Sequence, residues 1–254
     1  FRFVANPPML FSYKPGQFVT LDLEIDGKPV KRSYSISSAP SRPYTLEITV
    51  KGVPAPADTP DVPAGLVSNW LHDNIKVGSE GRLNGPMGKF TCADHRADKL
   101  LFISAGSGIT PMMSMSKWLC DTGADVDVVF VLSARSPKDI IFHQKLQLMA
   151  ALYPNFKLAI TMTRPELDQA WSGYTGRLNE AMLGEMAPDF RDRIVYVCGP
   201  NPFMAGVKGM LAGLDFPMEK YHEESFGGKK PSKKKAAATT PEPVKGEDRP
   251  RLHL

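Results

Sequence analysis

The sequence predicts two domains, an antiparallel β-barrel or sandwich followed by a doubly wound domain with a parallel sheet. Short alternating apolar runs, separated by turn residues, fill the first third of the chain. After Lys99, short apolar runs alternate with helical segments, which is the pattern of an α/β fold. The length of 254 residues also suits two ordinary domains better than one.

The first domain is predicted from its alternation and its turns. Residues 19–25 alternate apolar and polar side chains, which is the period of a half-buried strand. The pair Asp26-Gly27 then predicts a tight hairpin turn. Residues 44–51 alternate again before a proline-rich loop. We therefore assign residues 1–95 to this domain.

The second domain is predicted over residues 96–227. Leu100–Ile103 is a fully apolar run, as a buried parallel strand requires. Further strands are predicted over 126–132, 156–162 and 194–197, and helices from 111 and over 138–152, 178–186 and 202–214. Residues 228–248 have the composition of a flexible basic linker, and residues 249–254 are interpreted as the start of another strand.

The composition excludes several classes of protein. The net charge of +4 comes mostly from five lysines near the C-terminus, and the segment after residue 227 has no aromatic residue, so a nucleic-acid binder is excluded. No apolar stretch is long enough to cross a bilayer. The three cysteines are widely spaced, which argues against disulfides and for a reducing, cytoplasmic location. No metal-binding spacing is present.

Residues 32–38 read Arg-Ser-Tyr-Ser-Ile-Ser-Ser and place a cation, a ring and several hydroxyls on one strand. Because side chains alternate across a strand, Arg32, Tyr34 and Ile36 share a face. That face offers a charge for a phosphate and a ring for a planar ligand, which suits a dinucleotide such as FAD. An ordinary polar edge strand has the same pattern, so both interpretations stay open here.

Two further segments have the form of phosphate sites. Gly65-Leu66-Val67-Ser68 precedes a short helical run, and a glycine there lets backbone N–H groups approach an anion. In residues 103–111, Ile-Ser-Ala-Gly-Ser-Gly-Ile-Thr-Pro, a buried strand ends in a turn containing Gly106 and Gly108 and a helix follows. A glycine cap and a lone Gly-x-Gly are each weak evidence for a ligand.

Two segments near the end of the second domain lie at the same predicted sheet edge. The strand 195–200 ends in Cys-Gly-Pro, so Cys198 faces the crevice in which doubly wound folds collect ligands. Buried structural cysteines are also common, and no histidine lies nearby to activate a nucleophile. Residues 221–226 end in an aromatic ring that either closes the core or covers a flat cofactor.

Taken in order, the motifs RSYSISS, GLVS, GPMGKF, AGSGITP, CGP and EESF resemble the ferredoxin–NADP⁺ reductase superfamily, especially reductase components of oxygenases and hybrid-cluster proteins. The resemblance runs from about Pro15 to Phe226. It implies an antiparallel FAD-binding β-barrel followed by a doubly wound parallel-sheet domain for a nicotinamide nucleotide. It also implies an NAD(P)H-dependent flavoprotein reductase, in which hydride passes to FAD and electrons leave singly.

The resemblance assigns three residues to the reacting atoms. Ser35 is expected near the flavin N5, Cys198 beside the nicotinamide C4, and Glu224 in proton movement.

It also assigns cofactor-binding residues. Arg32 is expected to pair with the FAD pyrophosphate, Tyr34 to stack on the isoalloxazine, and Phe226 to cover its second face. The other expected cofactor contacts are Ser35, Ile36, Gly65, Val67, Ser68, Gly106, Ser107, Gly108, Thr110, Arg135, Cys198, Gly199 and Pro200.

The choice between NADH and NADPH stays open. Arg135 follows a predicted strand where the adenosine ribose is expected, and its guanidinium could hold a 2′-phosphate. The stretch from Ser133 to Phe142 is similar to NADH-using hybrid-cluster reductases, which favours NADH.

Many reductases of this kind carry a C-terminal [2Fe–2S] domain behind a flexible linker. Residues 249–254 are interpreted as the possible first strand of such a domain, so the chain is expected to be part of a longer protein. The Cys-x₄-Cys-x₂-Cys ligands are absent from this sequence, and a separate ferredoxin partner is the alternative. The terminal acceptor is expected to be a Rieske-type oxygenase, including those that demethylate betaine-like substrates, or a hybrid-cluster protein.

A competing hypothesis is a non-catalytic module of the same fold. Such a module would dock a partner through its basic tail and would not transfer hydride.

Overall fold

The computed structural model describes residues 1–55, 61, 63–165, 171–226 and 251–253. Their strands form two six-stranded sheets, the first antiparallel and the second parallel. The elements are β1 Arg2–Asn6, β2 Phe18–Ile25, β3 Lys28–Ser35, β4 Leu46–Glu47, α1 Leu66–Asn74, β5 Glu80–Met87, β6 Lys99–Ala105, α2 Ile109–Asp121, β7 Asp127–Ala134, α3 His143–Leu152, β8 Phe156–Met162, β9 Tyr174–Thr175, α4 Glu180–Met186, β10 Ile194–Cys198, α5 Asn201–Gly213, β11 Tyr221–Glu224 and β12 Arg251–His253.

The first sheet closes into a barrel. Its order is β3-β2-β5-β12-β1-β4, and Ile36, directly after β3, bridges Ile48, directly after β4. The Ser37 N–H also donates to the Glu47 carbonyl at 2.7 Å. The two edges of the sheet therefore meet, which removes the unpaired edges of an open sheet.

The barrel core follows the predicted alternation. Val19 and Leu21 of β2 are buried with Leu46 and Ile48, and α1 covers them. The expected turn at Asp26-Gly27 is present, with φ of 52° and 71°, as a type I′ hairpin requires. The strand predicted over 44–51 is shorter than expected, because only Leu46–Glu47 pair in a ladder.

The second sheet is doubly wound. Its order is β11-β10-β6-β7-β8-β9, so the chain starts in the middle, moves outward to β9 and returns to β10 on the other side of β6. Helices α2 and α3 pack on one face, and α4 and α5 pack on the other. The strand order therefore reverses between β6 and β10, and ligands of such sheets bind at this point.

One predicted helix begins later than expected. The sequence predicts a helix over 138–152, but α3 starts at His143. Residues Pro137–Asp139 form a 3₁₀ turn, and Phe142 has φ of 61°. A non-glycine residue in this left-handed region interrupts a right-handed helix, so the chain re-enters the helix only after Phe142.

The C-terminal strand belongs to the first sheet. β12 pairs antiparallel with both β1 and β5. Residues 228–248, predicted as a linker, lie outside the described residues, and a [2Fe–2S] domain stays a prediction. Among the described residues, no helix has the length and apolarity needed to span a membrane.

A buried arginine holds the amino ends of the second sheet. Arg193 is 4% exposed and donates to Asp189 at 2.7 Å, to Asp127 at 3.0 Å and to the Leu100 carbonyl at 3.1 Å. The hydrogen bonds from Arg193, and then from Lys99, lower the pKa of Asp189 to about 2. One guanidinium thus ties together the starts of β6, β7 and β10.

We expect Arg193→Met to lower the free energy of unfolding by roughly 2–3 kcal/mol, because it removes the buried hydrogen bond to the Leu100 carbonyl and the charged hydrogen bonds to Asp127 and Asp189. Urea denaturation at pH 7 measures the loss. Lys99→Met, which removes a more exposed partner of Asp189, is the control and should cost much less. Equal losses in the two variants would contradict a special role for Arg193.

Candidate active site

The candidate site lies where the two domains meet at the reversal of strand order. Cys198 ends β10 and pairs with Ser104 of β6 on one side and with Glu224 of β11 on the other. The first domain contributes Ser35, whose hydroxyl partly lowers the pKa of Glu224, and Gly88, which lies beside the Glu224 carboxylate. The three residues expected at the reacting atoms are thus brought together.

Glu224 titrates near neutral pH, so a substantial fraction of its carboxyl is protonated there. Burial raises the pKa of its carboxyl from 4.5 to about 7, and the Ser35 hydroxyl offsets only part of this effect. Its Oε2 atom is buried and makes no hydrogen bond within the part of the chain that the structure describes. A carboxyl group that is protonated near pH 7 can both donate and accept a proton.

Ser35 is the matching orphan on the barrel side. The residue is 5% exposed, and its Oγ meets no described residue at full hydrogen-bond geometry, although it lies near enough to the Glu224 carboxyl to lower the pKa of that group. Buried polar atoms in native proteins almost always have partners. Two such orphans, Ser35 Oγ and Glu224 Oε2, come from different domains and face the same crevice. This arrangement fits a ligand that carries its own hydrogen-bonding atoms.

Cys198 is a neutral thiol in this site. Burial, and then the charge of Glu224, strongly raise its pKa. A thiol whose pKa is raised carries very little of the reactive thiolate at neutral pH and is a poor nucleophile. Cys198 therefore fits a role in contacting and positioning a ligand.

The glycine loop is pressed against the end of β10. A Cβ atom built on Gly108 would lie 2.2 Å from the Cys198 carbonyl oxygen and 2.6 Å from the Gly199 nitrogen. Gly106 has φ of 56°, which favours glycine. Only glycine at position 108 lets α2 begin this close to the end of β10.

The residues around this loop divide into buried and open ones. Thr110 is buried and donates its hydroxyl hydrogen to the Ser107 carbonyl at 2.9 Å, which fixes the first turn of α2. Ser107 itself is exposed, as is Pro200 at the start of α5, while Gly199 is buried against Ala105. The part of the loop around Ser107 is therefore the part that an anion can reach.

The strand Arg32–Ser38 presents a cation and a ring at the barrel surface. Arg32 is exposed and forms no ion pair with any described carboxylate, while Tyr34 is half-buried beside the barrel core. Burial raises the pKa of Tyr34, so its ring stays neutral. Ile36 is fully buried and its N–H donates to the Gln17 carbonyl at 2.9 Å, which leaves little of it for a ligand.

The start of α1 offers backbone donors. Gly65 precedes the helix, and a Cβ there would lie 2.6 Å from Ser68 Oγ and 2.9 Å from Val53 Cβ. Ser68 Oγ donates to the Gly65 carbonyl at 3.2 Å, and the Val67 side chain is buried in the barrel core. The N–H groups of the first turn are therefore the groups available to an anion here.

Two arginines lie beside each other at the carboxyl ends of β7 and β8. Arg135 is exposed directly after β7, and the Arg164 N–H donates to its carbonyl at 2.8 Å. Arg164 was not predicted from the sequence. It stands two residues after a predicted strand, much as Arg135 stands three residues after another predicted strand, so the same signal was present.

Phe226 is 49% exposed, two residues beyond Glu224.

Comparisons with known proteins agree with this geometry. Residues 1–92 match the family described as "Oxidoreductase FAD-binding domain", and residues 102–209 match "Oxidoreductase NAD-binding domain". The chain belongs to the ferredoxin reductase family. The two matched domains correspond to the barrel and to the doubly wound sheet of this chain.

The similar proteins include reductase subunits of monooxygenases. The reductase chain is 55% identical over 227 residues to the glycine betaine monooxygenase reductase subunit of Pseudomonas aeruginosa, covering 89% of this chain and 60% of that protein. It is 46% identical to the stachydrine N-demethylase reductase subunit of Rhizobium meliloti, covering 89% of this chain and 62% of that protein. The chain thus spans about 60% of the length of these curated relatives.

A solved structure shows the same fold. The FAD/NAD-binding domain of nitric oxide dioxygenase from Vibrio cholerae superposes with a TM-score of 0.75 at 27% identity, covering 89% of this chain and 98% of that one.

The residues present fit FAD and a nicotinamide nucleotide. The barrel offers the unpaired cation of Arg32, the ring of Tyr34 and the orphaned hydroxyl of Ser35. The parallel sheet offers a loop in which nothing lies within 4 Å of a Cβ built on Gly106. These groups suit a pyrophosphate, a planar ring and a second phosphate-bearing ligand.

We expect Gly108→Ala to destabilise the reductase by roughly 1–3 kcal/mol, because the new methyl collides with backbone that joins β10 to α5. Nicotinamide affinity should also fall, since α2 must move away from the crevice. Thermal unfolding and a nicotinamide titration measure both effects. Gly209→Ala in α5, where a Cβ meets nothing within 4 Å, is the matched control and should stabilise the protein slightly.

The elevated pKa of Glu224 predicts a pH dependence of stability. The carboxyl ionises near pH 7 in the folded protein and at 4.5 in the unfolded chain, so the wild type loses up to about 3 kcal/mol as pH rises from 5 to 8. Glu224→Gln stays neutral and should remove this loss from the nucleotide-free protein. Urea denaturation at pH 5 and pH 8 tests the difference.

Glu223→Gln is the control for this prediction. Burial favours the neutral form of Glu223, but hydrogen bonds from Lys208 and Tyr221 outweigh it and lower its pKa. Its stabilising contribution is therefore present above pH 4.5 and lost in acid, so Glu223→Gln should weaken the protein at pH 8. The same pH profile for Glu224→Gln and the wild type would show that Glu224 titrates normally.

Proposed function

We propose that this chain is the flavin- and nicotinamide-binding part of a reductase component that supplies electrons to a monooxygenase. The electron source is NAD(P)H, and the acceptor is a [2Fe–2S] centre in a further domain of the same protein or in a separate ferredoxin. The terminal partner is a Rieske-type oxygenase that demethylates a betaine-type substrate. The reductase subunits of glycine betaine monooxygenase and stachydrine demethylase, at 55% and 46% identity, support this choice over a hybrid-cluster protein.

The observation that carries the proposal is the junction of Ser35, Cys198 and Glu224. One residue comes from the barrel and two come from the parallel sheet, so a ligand on each domain meets the other at this point. When bound, FAD accepts a hydride from the nicotinamide and releases electrons one at a time. Ser35 and Cys198 are both buried, which limits the access of water to this exchange.

The chain's own residues bind, orient and hold protons. Arg32 offers charge to the FAD pyrophosphate, together with the N–H groups at the start of α1. Ser35 Oγ and the Glu224 carboxyl, whose pKa lies near 7, would supply hydrogen bonds to the flavin, and Cys198 would contact the nicotinamide. Phe226, which is half-exposed, would cover the flavin ring until the nicotinamide replaces it.

The nicotinamide nucleotide is anchored at its other end by the adjacent pair Arg135 and Arg164. NADH remains the favoured donor, and these arginines would then contact the adenosine ribose and its neighbouring phosphate. The three cysteines of the chain are free, which supports a reducing, cytoplasmic location.

The proposal is tested by adding NADH to the protein saturated with FAD, under anaerobic conditions. We expect loss of the flavin absorbance and, in the presence of a one-electron acceptor, continuous turnover. Arg32→Ala should lower FAD retention by roughly tenfold or more, because one charged phosphate contact is lost. Lys31→Ala, which removes a neighbouring exposed cation, is the matched control and should retain FAD.

A non-catalytic binding module gives a different result. Such a protein would hold its flavin oxidised in NADH and would bind a partner in a salt-sensitive manner. Absence of bleaching in the FAD-saturated protein would therefore overturn the proposed reductase activity. Full FAD occupancy in Arg32→Ala would remove only the role given to Arg32.

A further inference from the structure

Helix α2 has a polar stripe along one face, and most of its other side chains are apolar, including three methionines. Thr110, Ser114, Lys117 and Asp121 are spaced by four, three and four residues, so they lie on one face. The remaining face packs into the core of the parallel sheet through Met112, Met113 and other fully buried side chains. The stripe is not part of that core, and it faces the barrel.

Two residues of the stripe donate hydrogen bonds to the barrel. Ser114 Oγ donates to the Ser38 carbonyl at 2.6 Å, and Lys117 Nζ donates to the Ser37 carbonyl at 2.6 Å. Ser114 is fully buried, and the Lys117 side chain is 13% exposed. These bonds are therefore shielded from water, unlike most contacts of a surface lysine.

The acceptors belong to the same segment as the expected flavin contacts. Ser37 and Ser38 directly continue the strand that carries Arg32, Tyr34 and Ser35. Ser114 lies one helical turn, about 6 Å, beyond Thr110. Ser38 lies three residues, roughly 10 Å of extended chain, beyond Ser35. The bonds thus join the helix and the strand next to the crevice itself.

The segment that accepts these bonds, Ser37 and Ser38, is itself hydrogen-bonded to other residues of the barrel. The Glu47 N–H donates to Ser38 Oγ at 2.9 Å, and the Tyr13 hydroxyl shares a 2.7 Å hydrogen bond with the same atom. Thr49 donates to Ser37 Oγ at 3.0 Å. The Glu47 carboxylate also lies 3.6 Å from Lys117 Nζ. The two carbonyls are therefore fixed reference points for α2.

The outer end of the stripe makes a different kind of contact. Asp121 accepts two hydrogen bonds from Arg42, at 2.6 and 2.9 Å, but the Arg42 side chain is 70% exposed. Exposed ion pairs contribute little and permit movement. The buried bonds of Ser114 and Lys117 thus dominate the alignment close to the crevice.

We propose that Ser114 and Lys117 are positioning residues, which fix α2 and its glycine loop relative to the flavin-binding strand and so set the hydride-transfer distance. The inference rests on the proposed function. Reacting atoms must approach to about 3–3.5 Å, and a displacement of about 1 Å can slow the reaction roughly 100-fold. Because α2 is a continuous helix, loss of either bond shifts or tilts the loop at its start.

The variants are Ser114→Ala and Lys117→Met, each measured with FAD bound. Ser116→Ala is the matched control, since Ser116 lies on the same helix, is fully buried, and has an Oγ without a hydrogen bond to any described residue. Lys117→Arg restores a cationic donor and tests rescue. All are compared for FAD content, thermal unfolding and the limiting rate of flavin reduction by NADH.

Two readouts separate alignment from stability. One is the change in the flavin visible spectrum on binding a nicotinamide analogue that cannot donate hydride, which reports ring stacking without turnover. The other is the ratio of limiting rates with NADH and its C4-deuterated form. We expect the limiting rate to fall roughly tenfold or more, with nicotinamide affinity nearly unchanged, a weaker spectral change and a larger isotope ratio. Lys117→Arg should recover most of the rate.

The opposite results overturn the inference. Limiting rates and spectra like those of the wild type, with only a lower melting temperature, would show that Ser114 and Lys117 merely stabilise the domain contact. The same would follow if Ser116→Ala slowed reduction as much as Ser114→Ala. If the flavin bound to the wild-type protein were never reduced by NADH, the proposed function would be wrong. The present inference, which rests on it, would then be wrong as well.

Discussion

The approach of Gly108 to the peptide between Cys198 and Gly199 is the contact on which the rest of the structure depends. It joins the first and the last crossover of the parallel sheet at the point where the strand order reverses. Any side chain at position 108 would push α2 away from β10. Since α2 also fills one face of the sheet core and contacts the barrel, its placement sets the core, the crevice and the relation of the two domains.

The charge distribution around the crevice follows from burial. Cys198 is held neutral and the Glu224 carboxyl is protonated up to about pH 7, while the cations Arg32 and Arg135 are exposed. A neutral interior and charged ends match a ligand pair whose rings are uncharged or nearly so and whose phosphates are anionic. The site therefore avoids the cost of burying an unpaired charge.

Much of this architecture is local and was predictable from the sequence. The hairpin at Asp26-Gly27 and the strand Phe156–Met162 follow from turn chemistry and periodicity, and the strand ends placed Gly106 and Cys198 at one sheet edge. The late start of α3 was not predictable, because Phe142 has a positive φ although it is not a glycine, and the sequence carries no signal for that conformation. The pairing of β12 with β1 and β5 was likewise not predictable, because these strands are far apart in the sequence.

The domain contact shows a second limit of sequence reading. The spacing of Thr110, Ser114, Lys117 and Asp121 marks one helix face, so a signal was present. What this face contacts depends on the backbone carbonyls of Ser37 and Ser38, which lie some eighty residues away in the sequence. Every residue has a backbone carbonyl, so residue identity does not show which carbonyl will be the acceptor. Patterns of side chains predict which face is polar, but they do not predict what that face touches.

The closure of the barrel gives the flavin site a thermodynamic property of its own. The bridge between Ile36 and Ile48 seals the sheet, and Ile36 stands next to Ser35 in the strand expected to bind the cofactor. Opening this seam would leave the strand through Ser35 paired on one side only, with β2, so we expect the open barrel to bind FAD less tightly. Cofactor occupancy and seam closure are therefore one linked equilibrium, and free flavin concentration becomes a determinant of how long the barrel stays shut.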